Sequence, residues 1–438
     1  MDQVAAAPTI PLSPARARRV PTRPRRLSRR GAFYLQASII VCFLAASSAP
    51  TPLYGIYQAR WGFSALTVTV VFGVYAVSVL VALLIVGSLS DHIGRRPTLL
   101  AALVLQGGAL AVFVEAGGVS WLFAARVVQG LATGLAAGAV GAGMLDLDRA
   151  KGTIANAVAP MTGTAVGALL SGVVVQYLPA PTRLVYVVLL AVVFLQAGGV
   201  LVMAETAEPQ PGALRSLWPR FDLQPAIRRP LIVATPALIA GWALAGFYGS
   251  LGPALVRLVS GSASVVLGGL ALFVLAAAGA LTVWALREVA PSAVALCGTA
   301  ALAVGVAGTL VATATRSEIG FFVATAVAGA GFGGGLQGAI RTVLPLVDAK
   351  HRAGVLSVIY VVSYLALGLP AVVAGIVVVQ TGSVTSTARG YGIAVIVLAA
   401  AAFGGLALRA WATSDAARLE TAAPLLCPQH SVPGACAL

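Results

Sequence analysis

Twelve stretches of the chain are apolar for long enough to cross a membrane. They lie near residues 33–57, 65–89, 97–116, 119–144, 154–177, 183–204, 230–253, 263–286, 292–314, 319–345, 355–379 and 391–411. A helix rises about 1.5 Å per residue, so roughly 20 apolar residues cover the ~30 Å hydrocarbon layer of a bilayer. The narrowest division falls between the third and fourth runs, where Glu115, Gly117 and Gly118 supply turn chemistry. Polar residues collect at the start, in the middle and at the end. The pattern predicts an all-α membrane protein of twelve transmembrane helices. A basic N-terminal tail covers 1–31, an N-domain of helices 1–6 covers 32–204, and a linker covers 205–229. A C-domain of helices 7–12 covers 230–411 and a second tail covers 412–438.

Composition removes the soluble alternatives. Hydrophobic residues make up 59% of the 438 and charged residues 9%, with a mean hydropathy of +0.96. Ordinary soluble domains carry about 25% charged residues, so there is too little polar surface here for a water-soluble enzyme. The net charge of +15 is concentrated in the head, where eight arginines (16, 18, 19, 23, 25, 26, 29 and 30) precede the first apolar run. Such a cluster at a membrane boundary reads as an orientation signal and a contact for anionic lipid, rather than as an arm for nucleic acid. With twelve helices, 22 Lys and Arg residues fall on the side of the termini and five on the other (Arg60, Arg183, Arg257, Arg316 and Arg389). The positive-inside rule then predicts cytoplasmic termini. Ser28-Arg29-Arg30 ahead of an apolar run has the look of a cleaved export signal, but eleven further apolar runs make it a retained anchor. Cys42 and Cys297 lie in apolar runs and Cys427 and Cys436 in the tail, which implies no disulfide framework, metal site or cofactor.

Six helices, a charged linker and six more suggest a duplication. A shift of 199 residues lays Gly130 and Gly134 of the fourth helix on Gly329 and Gly333 of the tenth, while Arg126 falls on Thr325 and Gln129 on Ala328. Packing glycines recur and polar residues do not.

The most specific stretch is Gly87-Ser88-Leu89-Ser90-Asp91-His92-Ile93-Gly94-Arg95-Arg96-Pro97, between the second and third helices. Gly87 permits close helix approach, Asp91 offers a carboxylate to a cation or a helix N-terminus, Gly94 reverses the chain, and Pro97 starts the third helix. The stretch resembles the signature loop Gly-x-Leu-x-Asp-x-x-Gly-Arg-Arg of the major facilitator superfamily. The resemblance implies two six-helix bundles that rock around a central cavity. It places Asp91 at the N-terminus of the eleventh helix near Gly354 and Val355, pairs it with Arg95, and asks for an acid at the end of the fourth helix, which Asp146 or Asp148 could supply. It also implies that Gly87 lets the second and eleventh helices approach.

Arg126-Val127-Val128-Gln129-Gly130 resembles the family's fourth-helix Arg-x-x-Gln-Gly pattern, in which the arginine is associated with proton transfer. An arginine inside a membrane costs about 2.5–3.5 kcal/mol on insertion scales, so it should face a cavity or a partner. The alternative is an arginine near the outer end that snorkels to the interface. Gly163, Gly167 and Gly172 in the fifth helix resemble a glycine pattern of exporters that exchange drugs for protons, although Ala168 and Ser171 replace a proline and a glycine of that pattern. Generic close packing explains the same glycines.

Absences narrow the chemistry further. No acidic residue lies in the cores of the first to eighth or tenth to twelfth helices, since Glu115 and Glu318 sit at outer ends, and no Walker loop is present. Cavity candidates from the first, fourth, seventh and tenth helices are Gln36, Ser47, Tyr54, Thr133, Trp242, Tyr248 and Gln337, a set with few charges that suits apolar or amphipathic solutes. The expected function is a monomeric secondary transporter of the cytoplasmic membrane that exports small hydrophobic or amphipathic compounds against protons. An importer or metabolite carrier of the same fold, and a non-transporting receptor or scaffold, are the alternatives. Arg outnumbers Lys 26 to 2, an association with GC-rich bacterial genomes.

Overall fold

A computed structural model describes residues 27–208, 210–218, 224–348 and 351–426. Most of the basic head, Arg220, Lys350, Cys427 and Cys436 lie outside them. Among the described residues twelve helices are long and apolar enough to cross a membrane: Arg29–Trp61, Ala65–Val86, Arg95–Val114, Val119–Leu147, Arg149–Tyr177, Leu184–Val202, Ile227–Ser250, Val265–Ala285, Pro291–Thr315, Glu318–Leu346, Gly354–Thr381 and Val384–Arg409. They are called spans one to twelve. Their starts follow local chemistry. Ser64, Asp148, Ser264 and Ser317 accept a hydrogen bond from the backbone N–H three residues on, and Pro291 occupies a first-turn position where a missing N–H costs nothing.

An even number of crossings puts the start of span one and the end of span twelve at one face, here the terminal face. The spans form two six-helix bundles with one packing plan. In the first bundle span one packs on four, five and six, span two on four, and span three on four and six. In the second, span seven packs on ten, eleven and twelve, span eight on ten, and span nine on ten and twelve. The glycine echo is a real equivalence in space. A Cβ on Gly130 or Gly134 would strike the span-two backbone at Tyr75 O and Val79 O (2.8 Å each). One on Gly329 or Gly333 would strike span eight at Leu275 O (2.3 Å) and Gly279 O (2.4 Å). Without a strong hydrophobic drive between helices in lipid, such backbone contact is what holds spans together.

The bundles meet along two seams, span two on eleven and span five on eight. At the first seam a Cβ on Gly375 would meet Thr69, one on Gly73 would meet Val372, and one on Gly368 would meet Ala76. Those positions occupy the half of span two nearer the opposite face. At the second, Gln176 accepts from Ser264 Oγ (2.8 Å) and Val266 N (3.1 Å), also at the opposite face, and the seam runs inward as far as Met161 against Gly279.

Spans one and seven depart from the unbroken runs expected. The first helix stops at Ser48 and resumes at Pro50, and the seventh stops at Ser250 and resumes as Gly252–Ser260. Proline near each restart removes a backbone donor and ends the ladder. The two breaks touch across the bundles, where Thr51 Oγ1 donates to Gly249 O at 2.9 Å.

Candidate functional site

Two polar clusters stand out, one at the terminal face and one inside the first bundle. The terminal-face cluster is built on the turn from span two to span three. Ser88 starts a short helix, Leu89–Ile93, and Gly94 reverses the chain at φ 99°, a conformation that side chains resist. Arg95 is thereby buried at the start of span three, with 7% exposure. Its guanidinium donates to Ser90 Oγ (2.7 Å), pairs with Asp91, and reaches Asp146 Oδ2 at the end of span four (3.1 Å). Arg29 closes the same corner by donating to the carbonyls of Leu147 (2.9 Å) and Asp146 (3.0 Å).

Glu205, just past span six, completes the cluster and was invisible to motif reasoning. Its carboxylate accepts from the backbone N–H of Arg95 (2.8 Å), Arg96 (3.0 Å), Thr206 (3.0 Å) and Ala207 (3.1 Å), so it caps the N-terminus of span three. Partial burial pushes its pKa up, but the backbone donors outweigh this and the net shift is downward. The only sequence signal is an acid close after a span and opposite a loop rich in arginine.

The alternatives for the fourth-span acid are resolved by geometry. Asp146 contacts Arg95, whereas Asp148 turns away, accepts from Lys151 N (3.0 Å) and caps span five. That hydrogen bond leads the causes that lower the Asp148 pKa. Two expectations need correcting for this arrangement. Asp91 is half exposed and its carboxylate is engaged with Arg95; among the described residues it has no hydrogen bond or ion pair with the start of span eleven near Gly354 and Val355. Gly87 packs on span four, where a Cβ on Gly138 would lie 2.6 Å from Gly87 O, and not on span eleven. The physical reason is the same for both: the contacts at the first seam lie toward the opposite face.

The second cluster surrounds Arg126, which has no exposed surface. Pro50 has no N–H to offer the Ala46 carbonyl, and Gln129 Nε2 donates to it instead (3.1 Å). The next carbonyl, Ser47 O, accepts from Arg126 Nη1 (2.7 Å), which also donates to Gln129 Oε1 (2.8 Å), and Nη2 donates to the Tyr54 hydroxyl (2.7 Å). The rings of Tyr75, Tyr54 and Phe113 stand 5.2, 5.9 and 5.9 Å from the guanidinium carbon. The broken first span therefore supplies acceptors for both terminal nitrogens, while Nε is left buried without a partner. The side chain does not reach for the interface as a snorkelling residue would, nor does it face open space here. In the second bundle Thr325 takes the corresponding place and shares a hydrogen bond with Tyr248 (2.8 Å), a neutral pair.

A model of the Major Facilitator Superfamily matches residues 37–290. The chain belongs to the major facilitator superfamily. Solved structures of that architecture resemble it over most of its length. A mutant of the nucleoside transporter NupG gives a TM-score of 0.66 at 11% identity, covering 86% of this chain and 100% of that one. A bacterial homologue of the human lysosomal transporter Spinster, in an inward-facing and unoccupied conformation, gives 0.70 at 13% identity, covering 86% and 97%. No curated protein sequence matches the chain.

As a superfamily member the chain uses its fifth-span glycines for packing. A Cβ on Gly163 would meet Val41 O (2.4 Å), one on Gly167 would meet Ala45 O (2.2 Å), and one on Gly172 would meet Val265 O across the seam (3.2 Å). Ser171, in place of a glycine, donates to the Ala49 carbonyl at the break (2.6 Å). Of the cavity candidates, Gln36, Ser47, Tyr54, Thr133 and Tyr248 are buried within the bundles. Gln36 is a clear correction: it is wedged against Gly143 and Met203 at the terminal end of the first bundle. Gln337, on span ten, donates to Val283 O of span eight (3.1 Å). Trp242 alone among them reaches a seam, stacking on Tyr364 (6.0 Å) and meeting Phe332 edge-on (5.7 Å) beside Phe72 and Leu367. Its indole Nε1 is buried without a partner. Phe72, Phe332 and Tyr364 were missed because apolar runs do not show which aromatic side chains converge.

Proposed function

We propose that the chain is a secondary transporter that works by alternating access and exports small hydrophobic or amphipathic compounds in exchange for protons, with both termini in the cytoplasm. The observation that carries the reading is the aromatic group at the seam. Trp242, Tyr364, Phe332 and Phe72 come from spans seven, eleven, ten and two, so rocking of the bundles would remake this group. Rings with one buried indole N–H suit a largely apolar solute carrying a hydrogen-bond acceptor, whereas sugars and phosphates need many polar partners. Seam contacts that lie toward the opposite face would fit an inward-facing state, the state named for the Spinster homologue. In the proposed cycle Arg95, Asp91 and Asp146 form the gate at the cytoplasmic end, and Arg126 is the fixed charge through which coupling acts.

A second reading, a facilitative importer or metabolite carrier, draws support from the interior: among the described residues no carboxylate lies in the middle of a span. Arginine does not give up its proton in proteins, so Arg126 could steer a proton but not carry it. Flux of a panel of amphipathic compounds in proteoliposomes, with and without an imposed pH gradient, separates the readings. The proposal expects accumulation that collapses with the gradient. Equal flux in both conditions establishes the carrier, and failure of every compound to move defeats the substrate class.

A further inference from the structure

At the opposite face a cavity of about 580 Å³ straddles the two bundles, and neither the gate nor the aromatic group uses it. Gly55 and Arg60 line it from the resumed part of span one, Arg257 from the resumed part of span seven, and Ser264 and Gly268 from the start of span eight. Arg60 and Arg257 hold matching places, each in the last turn of the helix that follows its bundle's break. Arg257 crosses the seam: a Cβ on Gly55 would lie 2.6 Å from its Nη1, so the guanidinium rests on bare backbone of the other bundle.

The electrostatics of this cavity are one-sided. No Asp or Glu lines it, and neither arginine has a side-chain hydrogen bond or ion pair among the described residues. The N-terminal end of span eight, a 21-residue helix, adds positive potential from the same direction. Part of that end is already committed, since Gln176 takes the Val266 N–H and Ser264 caps Leu267. Both arginines are exposed, so their guanidinium groups are open to a ligand arriving from solvent. Two guanidinium groups that line one cavity from opposite sides of a seam repel each other. An oxyanion between them reverses the sign of that interaction.

We propose that this cavity binds a phosphate group that bridges Arg60 and Arg257 and holds the two bundles together at this face. Two forked donors approaching from opposite bundles call for at least three acceptor oxygens, which a phosphate presents and a single carboxylate does not. The source is either free phosphate or the headgroup of an anionic lipid. The inference is separate from the transport reading and its test measures no flux.

The test uses the full chain in phosphatidylcholine vesicles, with native cysteines replaced by serine and the probe Val372→Cys placed against Gly73 at the seam. Reaction with a membrane-impermeant maleimide then reports opening at this face. Inorganic phosphate should slow labelling about tenfold relative to chloride at matched ionic strength, the shift expected from one charge-assisted contact made only in the closed form. If the source is lipid, adding phosphatidylglycerol to the vesicles should slow labelling by itself, and free phosphate should then add nothing. Arg60→Gln with Arg257→Gln should abolish either response, and Arg60→Gln alone should do so if the double variant is not monodisperse. Labelling indifferent to both phosphate and phosphatidylglycerol would overturn the proposal, as would an unchanged response in the glutamine variants.

Discussion

Replacing Arg126 by methionine tests whether its charge or its bulk matters. The guanidinium makes three hydrogen bonds and faces three rings. Hydrogen bonds to a charged group contribute about 1.5–3 kcal/mol each, so the gross hold is on the order of 5–9 kcal/mol. Against this stands the cost of burying a cation with no carboxylate partner, several kcal/mol after relaxation. The two terms nearly cancel. Arg126→Met, which keeps much of the volume, should change stability by no more than about 2 kcal/mol. Both substitutions leave Tyr54 OH and the Ser47 carbonyl without their donor, but Arg126→Ala also leaves a void, which should bring its cost to about 3–5 kcal/mol. Flux should follow charge instead, with Arg126→Met folded but inactive in gradient-driven transport and Arg126→Lys retaining part of the rate. Thermal unfolding in detergent and flux in proteoliposomes, on the same preparations, provide both numbers. Wild-type flux in Arg126→Met would show that the charge has no part in turnover, and a methionine variant as unstable as the alanine variant would refute the cancellation.

The two aspartates at the end of span four should behave differently: Asp146→Asn weakens the Arg95 contact and should slow transport, while Asp148→Asn keeps a capping oxygen, loses only a surface ion pair with Lys151 and should leave the rate unchanged. Equal rates in the two variants, measured in proteoliposomes, would contradict the gate assignment. Glu205→Gln should destabilise the terminal face at neutral pH. Because the folded pKa of Glu205 is depressed, its contribution is fully present above the ordinary value of 4.5 and is lost as pH falls through the folded value, so the melting temperatures of variant and wild type should converge under acid. Gly167→Val should fail to yield monodisperse protein, since even its Cβ would lie 2.2 Å from Ala45 O and 2.5 Å from Ser48 Oγ; overpacking of this kind costs about 1–3 kcal/mol or more, and a normal size-exclusion profile would count against the packing role.

By itself the sequence determined the twelve crossings, the duplicated plan and the turn at Asp91, because each depends on residues adjacent along the chain. A bilayer sets a minimum apolar length for any segment that crosses it, and the spans Ala65–Val86 and Arg95–Val114 lie within three residues of the predicted ends. The glycine pairs at 130, 134, 329 and 333 were also legible, since close packing of two helix backbones leaves no room for a side chain. Tertiary structure alone decided which partners the polar groups found. Hydropathy is blind to the rotation of a helix about its axis, so Gln36 could be read as facing a cavity although it points at Gly143. The same blindness left Asp146 and Asp148 equivalent until Arg95 was seen to reach one of them. Arg126 was expensive on its own helix and became tolerable in the packed bundle, where Ser47 O and the Tyr54 hydroxyl of the broken first span, 79 and 72 residues away in sequence, accept its hydrogen bonds. Glu205 acquired its place when the end of span six came to rest beside the start of span three. Burial length is a local property of the chain, whereas satisfaction of a buried polar group is a property of the packed assembly.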